Sequence, residues 1–277
     1  MNIKELLKAG TEKLKQKESG ALEAQMLLSC VLGMERTRLL VYGEQPVSSE
    51  EKERYFSLLK QRAENVPVQY LTGECEFMAL PFYVDSHVLI PRCDTEILVE
   101  QVLSKVGKEP VTIADLCCGS GCIGISLAHY LPKASVLLAD LSEGALCIAQ
   151  KNAERHHVAD RTVFRKMDVR EQTLEEQVDV IVSNPPYIPA KDIASLEPEV
   201  RDYEPRLALE APENGLQFYR ILCEKHANSL KKGGLMAVEV GIGQAEEVAR
   251  QMGQHLEQVT VHRDLQGIAR VVMGNRK

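Results

Sequence analysis

Between Val111 and Asn184 the chain alternates strand-length apolar runs with helix-length amphipathic ones: VTIADL, IGISLAHYL, SVLLAD, EGALCIAQKNAERH, TVFRKMD and VDVIVSN. Strands apolar along their whole length must be covered on both faces. Strands that follow one another through a helix run parallel. The alternation therefore predicts an α/β fold, a mostly parallel Rossmann-like sheet with helices on both sides. Beyond Asn184 a long loop leads to a helix expected around residues 215–230, and GGLMAVEV follows as another strand. The tail QVTVHRDLQGIARVVMGN reads as two more strands joined by a turn, predicted to form an antiparallel edge.

The region before this alternation has a different pattern. In residues 1–73, Ile3, Leu6, Leu7 and Leu14, then Leu22, Met26, Leu27 and Val31, recur at helical spacing, with Gly20 and Gly33 between helices. Ser48 with Glu51 three residues later predicts a capping box at the start of another helix, whose apolar face carries Tyr55, Phe56, Leu58 and Leu59. Residues 74–92 hold two β-rich runs around Leu80-Pro81 and predict a hairpin or extended connector. Asp94 or Thr95 is then placed to cap a helix through Ile97, Leu98 and Val102. The expected organisation is a small helical domain over 1–73, a connector over 74–92 and an α/β domain over 93–277.

Charge narrows the partners. The net charge is −7, the pI is about 5.6, and residues 1–76 carry 11 basic and 12 acidic side chains. An acidic chain with a near-neutral helical module lacks the electrostatic footprint of a nucleic-acid binder, and protein docking is expected of the module instead. No apolar run nears the roughly 20 residues that span a bilayer, and the N-terminus has no signal-peptide core, so a cytoplasmic protein without membrane contact is expected. A monomer is expected. Among eight cysteines no C-x-x-C pair occurs, so Cys117, Cys118 and Cys122 read as small apolar residues and no metal site is expected. His156 and His157 are expected on an exposed helix end.

Residues 113–124, IADLCCGSGCIG, end a strand and open a helix, and Gly119, Gly121 and Gly124 satisfy G-x-G-x-x-G. Such a loop lets backbone approach a ligand, but by itself it serves a dinucleotide or S-adenosylmethionine equally. The acids around it favour the second. Asp115 precedes the loop, where it would repel a pyrophosphate and attract an ammonium group. Asp140 ends the next strand, placed to accept both hydroxyls of a ribose, and Asp168 ends the third, beside the expected place of an adenine.

The fourth strand ends in Asn184-Pro185-Pro186-Tyr187. The Asn184 side-chain oxygen can accept one hydrogen of a planar NH2 group, and a Pro185 carbonyl held by proline rigidity can accept the other. Two acceptors on one NH2 orient its poorly available lone pair and support positive charge as it is alkylated. Tyr187 is expected to flank the flat acceptor with its ring.

These residues carry a resemblance. Asn-Pro-Pro-Tyr is the signature of amino methyltransferases acting on DNA bases or on glutamine amides. The longer stretches PVQYLTGECEFMALPFYVDSHVLIPRCDTEILVE, DLCCGSGCIGISLA, VDVIVSNPPYIP and VEVGIGQAEEV with RDLQGIARVV resemble the HemK/PrmC family, glutamine methyltransferases of peptide release factors, over nearly the whole chain. The resemblance implies transfer of a methyl group from S-adenosylmethionine to the side-chain amide nitrogen of the glutamine in the Gly-Gly-Gln motif of class I release factors. It also implies that the helical domain docks the release factor. Asn184, Pro185, Pro186 and Tyr187 carry over as the catalytic and substrate-binding stretch. Cys117, Cys118, Gly119, Ser120, Gly121, Asp140 and Asn184 carry over as cofactor contacts. Three positions depart from the family. Cys117 replaces a glycine, which requires a backbone angle that cysteine tolerates or a slightly altered loop. Val169 stands where an aromatic often follows the acid, which removes a stacking partner for adenine, and PRCDTE replaces Pro-Arg-Pro-Glu-Thr-Glu.

A DNA or RNA amino methyltransferase would use the same tetrapeptide but should carry a basic recognition region. A non-catalytic binding protein of this fold would not need Asn184 to Tyr187 intact, and a nicotinamide oxidoreductase rests on the three glycines alone.

Overall fold

The computed structural model describes residues 1–107 and 109–277, in two compact units: Met1–Glu74 with Glu197–Tyr203, and Cys75–Leu196 with Glu204–Lys277.

The first unit holds α1 (Ile3–Lys13), α2 (Gly20–Leu32), α3 (Arg36–Val41), α4 (Ser49–Ala63) and α5 (Val68–Thr72). Asn2 and Ser48 both build capping boxes, with Glu5 and Glu51, as expected for Ser48. The core gathers Ile3, Leu6, Leu27, Leu28, Leu39, Tyr55 and Leu59. Leu22, expected on the apolar face, is instead exposed: the buried stripe of α2 runs through Ala24, Leu27, Leu28 and Val31, and Leu22 lies off it. Glu23 is buried because Arg62 meets it with two hydrogen bonds, 2.8 and 2.9 Å long. Residues 197–203, far along the chain, group with these helices. Glu199 pairs with the same Arg62 at 2.7 Å, and the Tyr203 hydroxyl donates to the Glu64 carbonyl at 2.7 Å.

A hairpin follows, β1 (Glu74–Phe77, in the second unit from Cys75 on) and β2 (Leu80–Tyr83). Its turn is at Met78-Ala79, both with positive φ, two residues earlier than expected, and Leu80-Pro81 lies inside β2. The sheet unit continues with α6 (Cys93–Lys105), β3 (Val111–Leu116), α7 (Cys122–Tyr130), β4 (Ala134–Asp140), α8 (Glu143–Arg155), β5 (Thr162–Lys166) and β6 (Val178–Ser183). Short helices α9 (Pro198–Tyr203, in the first unit), α10 (Arg206–Leu209), α11 (Pro212–Gly215) and α12 (Gln217–Ile221) lead to β7 (Leu230–Glu239), α13 (Ala245–His255), β8 (Leu256–Arg263) and β9 (Ala269–Arg276).

Three expectations shift here. Helix α6 starts at Cys93 after Arg92 and has no side-chain cap, because Asp94 pairs with Arg270 at 2.8 Å. The helix expected over 215–230 is α12 followed by a π turn and a 3-10 turn, and β7 starts at Leu230. His156 is half-buried: its ring packs at a tilt against Phe82, centroids 4.9 Å apart, and its Nε2 meets the Pro81 carbonyl at 2.9 Å.

The seven strands lie in the order β5-β4-β3-β6-β7-β9-β8, parallel from β5 to β7, with β9 antiparallel to β7 and to β8. Alternate strand residues feed two apolar layers. Val180 and Val182 join Leu98, Ile123 and Ile125, while Ile181 joins Leu222, Val248 and Met252. The central strands β3, β4 and β6 are covered on both faces, which explains why they are apolar nearly throughout, whereas β5 and β8 at the edges are more exposed.

Candidate active site

After β3 the chain builds outward through β4 and β5, then returns across the sheet to place β6 on the other side of β3. That reversal opens a crevice between the carboxyl ends of β3 and β6, the place where open α/β sheets bind ligands. The glycine loop leaves β3 there and Asn184 leaves β6 there. Leu116 pairs with Ser183, and the Ser183 hydroxyl donates to the Leu116 carbonyl at 2.6 Å. A cleft lined by residues of both the glycine loop and the Asn184 turn occupies this position.

The loop takes its shape from three contacts. Cys117 adopts φ +62°, the left-handed angle that its replacement of a glycine demanded, and Gly119 (+53°) and Gly121 (+78°) follow. At Gly121 a Cβ would lie 2.7 Å from Ile125 Cδ1, so close packing as well as backbone angle excludes other residues. Asn152, fully buried on α8, donates to the carbonyls of Ser120 and Tyr83 at 2.9 and 3.0 Å and accepts from the Tyr83 N–H at 2.7 Å. The hairpin and the loop thus share one anchor, which no motif announced. Burial pushes the thiols of Cys117, Cys118 and Cys122 upward, as small neutral side chains require.

The three acids differ. Asp115 is fully buried under the loop. Its Oδ2 accepts the Gly124 N–H at 2.8 Å, and its Oδ1 has no hydrogen-bond partner among the described residues. Burial pushes this carboxyl up to about 7, against the Gly124 N–H that favours charge. Asp140 lines the cleft and accepts the N–H groups of Gly119 and Ser142, both at 2.9 Å. Its pKa is raised by burial and held back by those donors. Asp168 also lines the cleft, but two residues past the end of β5, and both its oxygens are taken by Arg170 at 2.9 and 2.7 Å, which lowers its pKa. Cys117, Cys118, Gly119, Ser120, Asn184 and Pro186 line the cleft as well, and Asp115, Gly121, Pro185 and Tyr187 lie within two residues of these lining positions. Phe218 enters the cleft wall from α12, in the cleft that Val169 also lines, and sequence reading did not single it out.

Asn184 donates from Nδ2 to Thr95 Oγ1 at 3.3 Å, so its Oδ1 is left to act as an acceptor. The Tyr187 hydroxyl meets Glu239 Oε1 at 3.4 Å, and a Cβ at Gly241 would approach its ring to 3.0 Å, so these contacts hold the ring in place. Its backbone is held too: Gln244 Nε2 donates to the Tyr187 carbonyl at 3.0 Å. Gly215, at φ +85°, approaches that carbonyl so closely that an added Cβ would fall 2.1 Å from the oxygen. Glu239 is 4% exposed at the end of β7, and burial pushes its carboxyl up to about 7. None of Thr95, Glu239 and Gln244 was identified as a site residue from sequence.

A glycine loop over a buried acid, a second acid at the tip of the adjacent strand, and this sheet order define a Rossmann-like methyltransferase. The fold is shared with a methyltransferase from Pyrococcus furiosus, at a TM-score of 0.54 and 16% identity over 72% of this chain and 90% of that one. Residues 5–73 match the family model for the PrmC N-terminal domain and residues 93–196 the one for the methyltransferase small domain. A release factor glutamine methyltransferase from Geobacter sulfurreducens is 43% identical over 83% of this chain and 80% of its own length. One from Clostridium botulinum is 36% identical over the full length of both. The chain belongs to the release factor glutamine methyltransferase family.

Proposed function

We propose that this chain methylates the side-chain amide nitrogen of a glutamine in class I peptide chain release factors, at their Gly-Gly-Gln motif, with S-adenosylmethionine as methyl donor. One observation carries the reading beyond family membership: at the switch point of the sheet, Asn184 has its NH2 committed to Thr95 and its oxygen uncommitted, beside the glycine loop.

The cleft fits the donor. Asp115 Oδ1, buried and without a partner among the described residues, suits the ammonium of its amino-acid portion. Each Asp140 oxygen takes one backbone N–H and keeps a lone pair for a ribose hydroxyl. Val169 and Phe218 offer apolar surface for the adenine, while Arg170 holds Asp168 in place at the rim. Cys117, Cys118, Gly119, Ser120 and Gly121 bring their backbone alongside. When bound, S-adenosylmethionine supplies a methyl group on a cationic sulfur, and the carbon–sulfur bond breaks as the nitrogen lone pair takes the carbon.

The remaining work belongs to the protein. Asn184 Oδ1 accepts one hydrogen of the glutamine NH2 and the Pro185 carbonyl the other, and together they aim the lone pair and offset the charge that grows on nitrogen. Pro185 and Pro186 limit backbone freedom there. No strong base is needed before transfer, because the surplus proton leaves the alkylated nitrogen afterwards, to water. The near-neutral helical unit is the docking module for the release factor, and its match to the PrmC N-terminal domain supports that role.

Incubation with labelled donor and a release factor, followed by mass spectrometry, tests the reading. The label is expected on the Gly-Gly-Gln glutamine. Labelling of duplex DNA or ribosomal RNA, with none on the release factor, would overturn it.

A further inference from the structure

An asparagine amide has two edges of nearly the same shape, and only the oxygen edge can accept a hydrogen from an NH2 group. The structure sets the Asn184 Nδ2 edge against Thr95 Oγ1, but a hydroxyl both donates and accepts, so that bond alone does not hold the edge there. What decides is where the Thr95 hydrogen goes. Thr95 is 2% exposed on the first turn of α6. Its hydroxyl is the neighbour that most favours the charged form of Glu239, whose Oε2 is buried with an unfilled acceptor position. Glu239 belongs beside Asn184 by register, because Ser183 pairs with Val238 in the parallel β6–β7 ladder.

We infer that Thr95 and Glu239 are positioning residues that fix the Asn184 amide in its working orientation. The Glu239 carboxylate takes the Thr95 hydrogen, the Thr95 oxygen can then only accept, and only the Asn184 NH2 can face it. Asn184 Oδ1 is thereby turned to the acceptor. Tyr187, donating to Glu239 Oε1, ties the far end of the turn to the same carboxylate. The VEVGIGQ stretch, which the reaction itself leaves unused, becomes the cradle of the Asn-Pro-Pro-Tyr turn.

A neutral Glu239 reverses this polarity. Its own hydrogen seeks the Thr95 oxygen, and the freed Thr95 hydrogen then favours Asn184 Oδ1, the wrong edge. The groups facing Glu239 are Thr95 and Asp94 on α6, Tyr187 after β6, Arg270 on β9, Tyr219 on α12 and Cys122 opening α7. Arg270, the cation among them, is shared with Asp94 at 2.8 Å and Asp264 at 2.9 Å. Turnover is therefore expected to rise with pH through about 7, where burial holds the Glu239 carboxyl.

The inference rests on Asn184 binding the acceptor amide, and the test separates the two. The full-length protein and its T95V, T95S and E239Q variants are compared for turnover on release factor, KM, cofactor affinity by calorimetry, and pH profile. T95V is expected to lose about thirtyfold or more in kcat with cofactor affinity and KM little changed, and T95S to recover most of that loss. E239Q is expected to lose a similar amount and to flatten the rise in kcat between about pH 6 and 8. Unchanged turnover and pH profile in E239Q would overturn the inference, as would parallel losses of melting temperature and cofactor binding across all three variants. If T95V does not fold, the E239Q profile decides. A wild-type protein that labels no release factor would instead refute the proposed function.

Discussion

Gln244 donates from Nε2 to the Tyr187 carbonyl at 3.0 Å, while its Oε1 accepts from the Gly241 N–H at 3.0 Å and the Tyr219 hydroxyl at 3.3 Å. One side chain on the approach to α13 therefore closes the back of the acceptor turn. Gln244→Leu leaves a carbonyl, an N–H and a hydroxyl without this partner, and should cost about 2–4 kcal/mol of stability. Denaturant unfolding checks the stability, and turnover should fall more than cofactor affinity because the damage is local to the turn.

Asn184→Ala removes an acceptor made for the transition state. By analogy with oxyanion-hole donors, about 2–4 kcal/mol of transition-state stabilisation should be lost, a fall of roughly 10²–10³ in kcat. Cofactor affinity by calorimetry should be nearly unchanged. Near-wild-type turnover would sink the proposed role.

Gly121→Ala forces a Cβ into the left-handed region at φ +78° and against Ile125, Leu138 and Ala149. Strain and overpacking together should cost about 2–4 kcal/mol. The loop should lift, so the melting temperature and cofactor affinity should fall together, unlike the Asn184 variant.

The buried Asp115 carboxyl gives the cofactor-free protein a pH dependence of definite sign. Its folded pKa, about 7, lies above the ordinary carboxylate range, so the unfolded chain releases the proton first. The stability tied to this group is full below about pH 4 and is lost as pH rises through about 7. Binding of a cationic ligand should run the other way, tightening about tenfold from pH 6 to 8 as the carboxylate forms. Asp115→Asn should flatten both curves, measured by thermal melts and by calorimetry across that range.

Local patterning revealed the parallel sheet, its antiparallel edge, the Ser48–Glu51 cap and the paired loops at the sheet's crevice, because apolar period and turn chemistry are local properties. What it missed is held by long-range pairing. Asn152 looks like any polar helix residue, yet it bonds to Tyr83, 69 residues away, and to Ser120. Thr95 looked like a cap, but its oxygen serves Asn184 across 89 residues. The hairpin turn at Met78-Ala79 lacks the glycine or asparagine that would advertise positive φ. Nothing local marks Glu197–Tyr203 as grouping with the first helices, since the contacts to Arg62 and Glu64 span more than a hundred residues.

The place of β6 beside β3 bears on when this protein becomes competent as well as on where its site lies. The cofactor loop and the acceptor turn are brought together by pairing across 67 residues, as in the Ser183–Leu116 bond, and all of β4, α8 and β5 is looped out between them. Closing so long a loop is entropically unfavourable until the excluded strands have their own partners, so the β3–β6 ladder belongs among the late contacts of folding. Partly folded chains can hold a formed glycine loop and still have no acceptor turn beside it. Methyl transfer then reports complete folding, and recovery of activity should lag recovery of helical signal when the denatured protein is returned to native conditions.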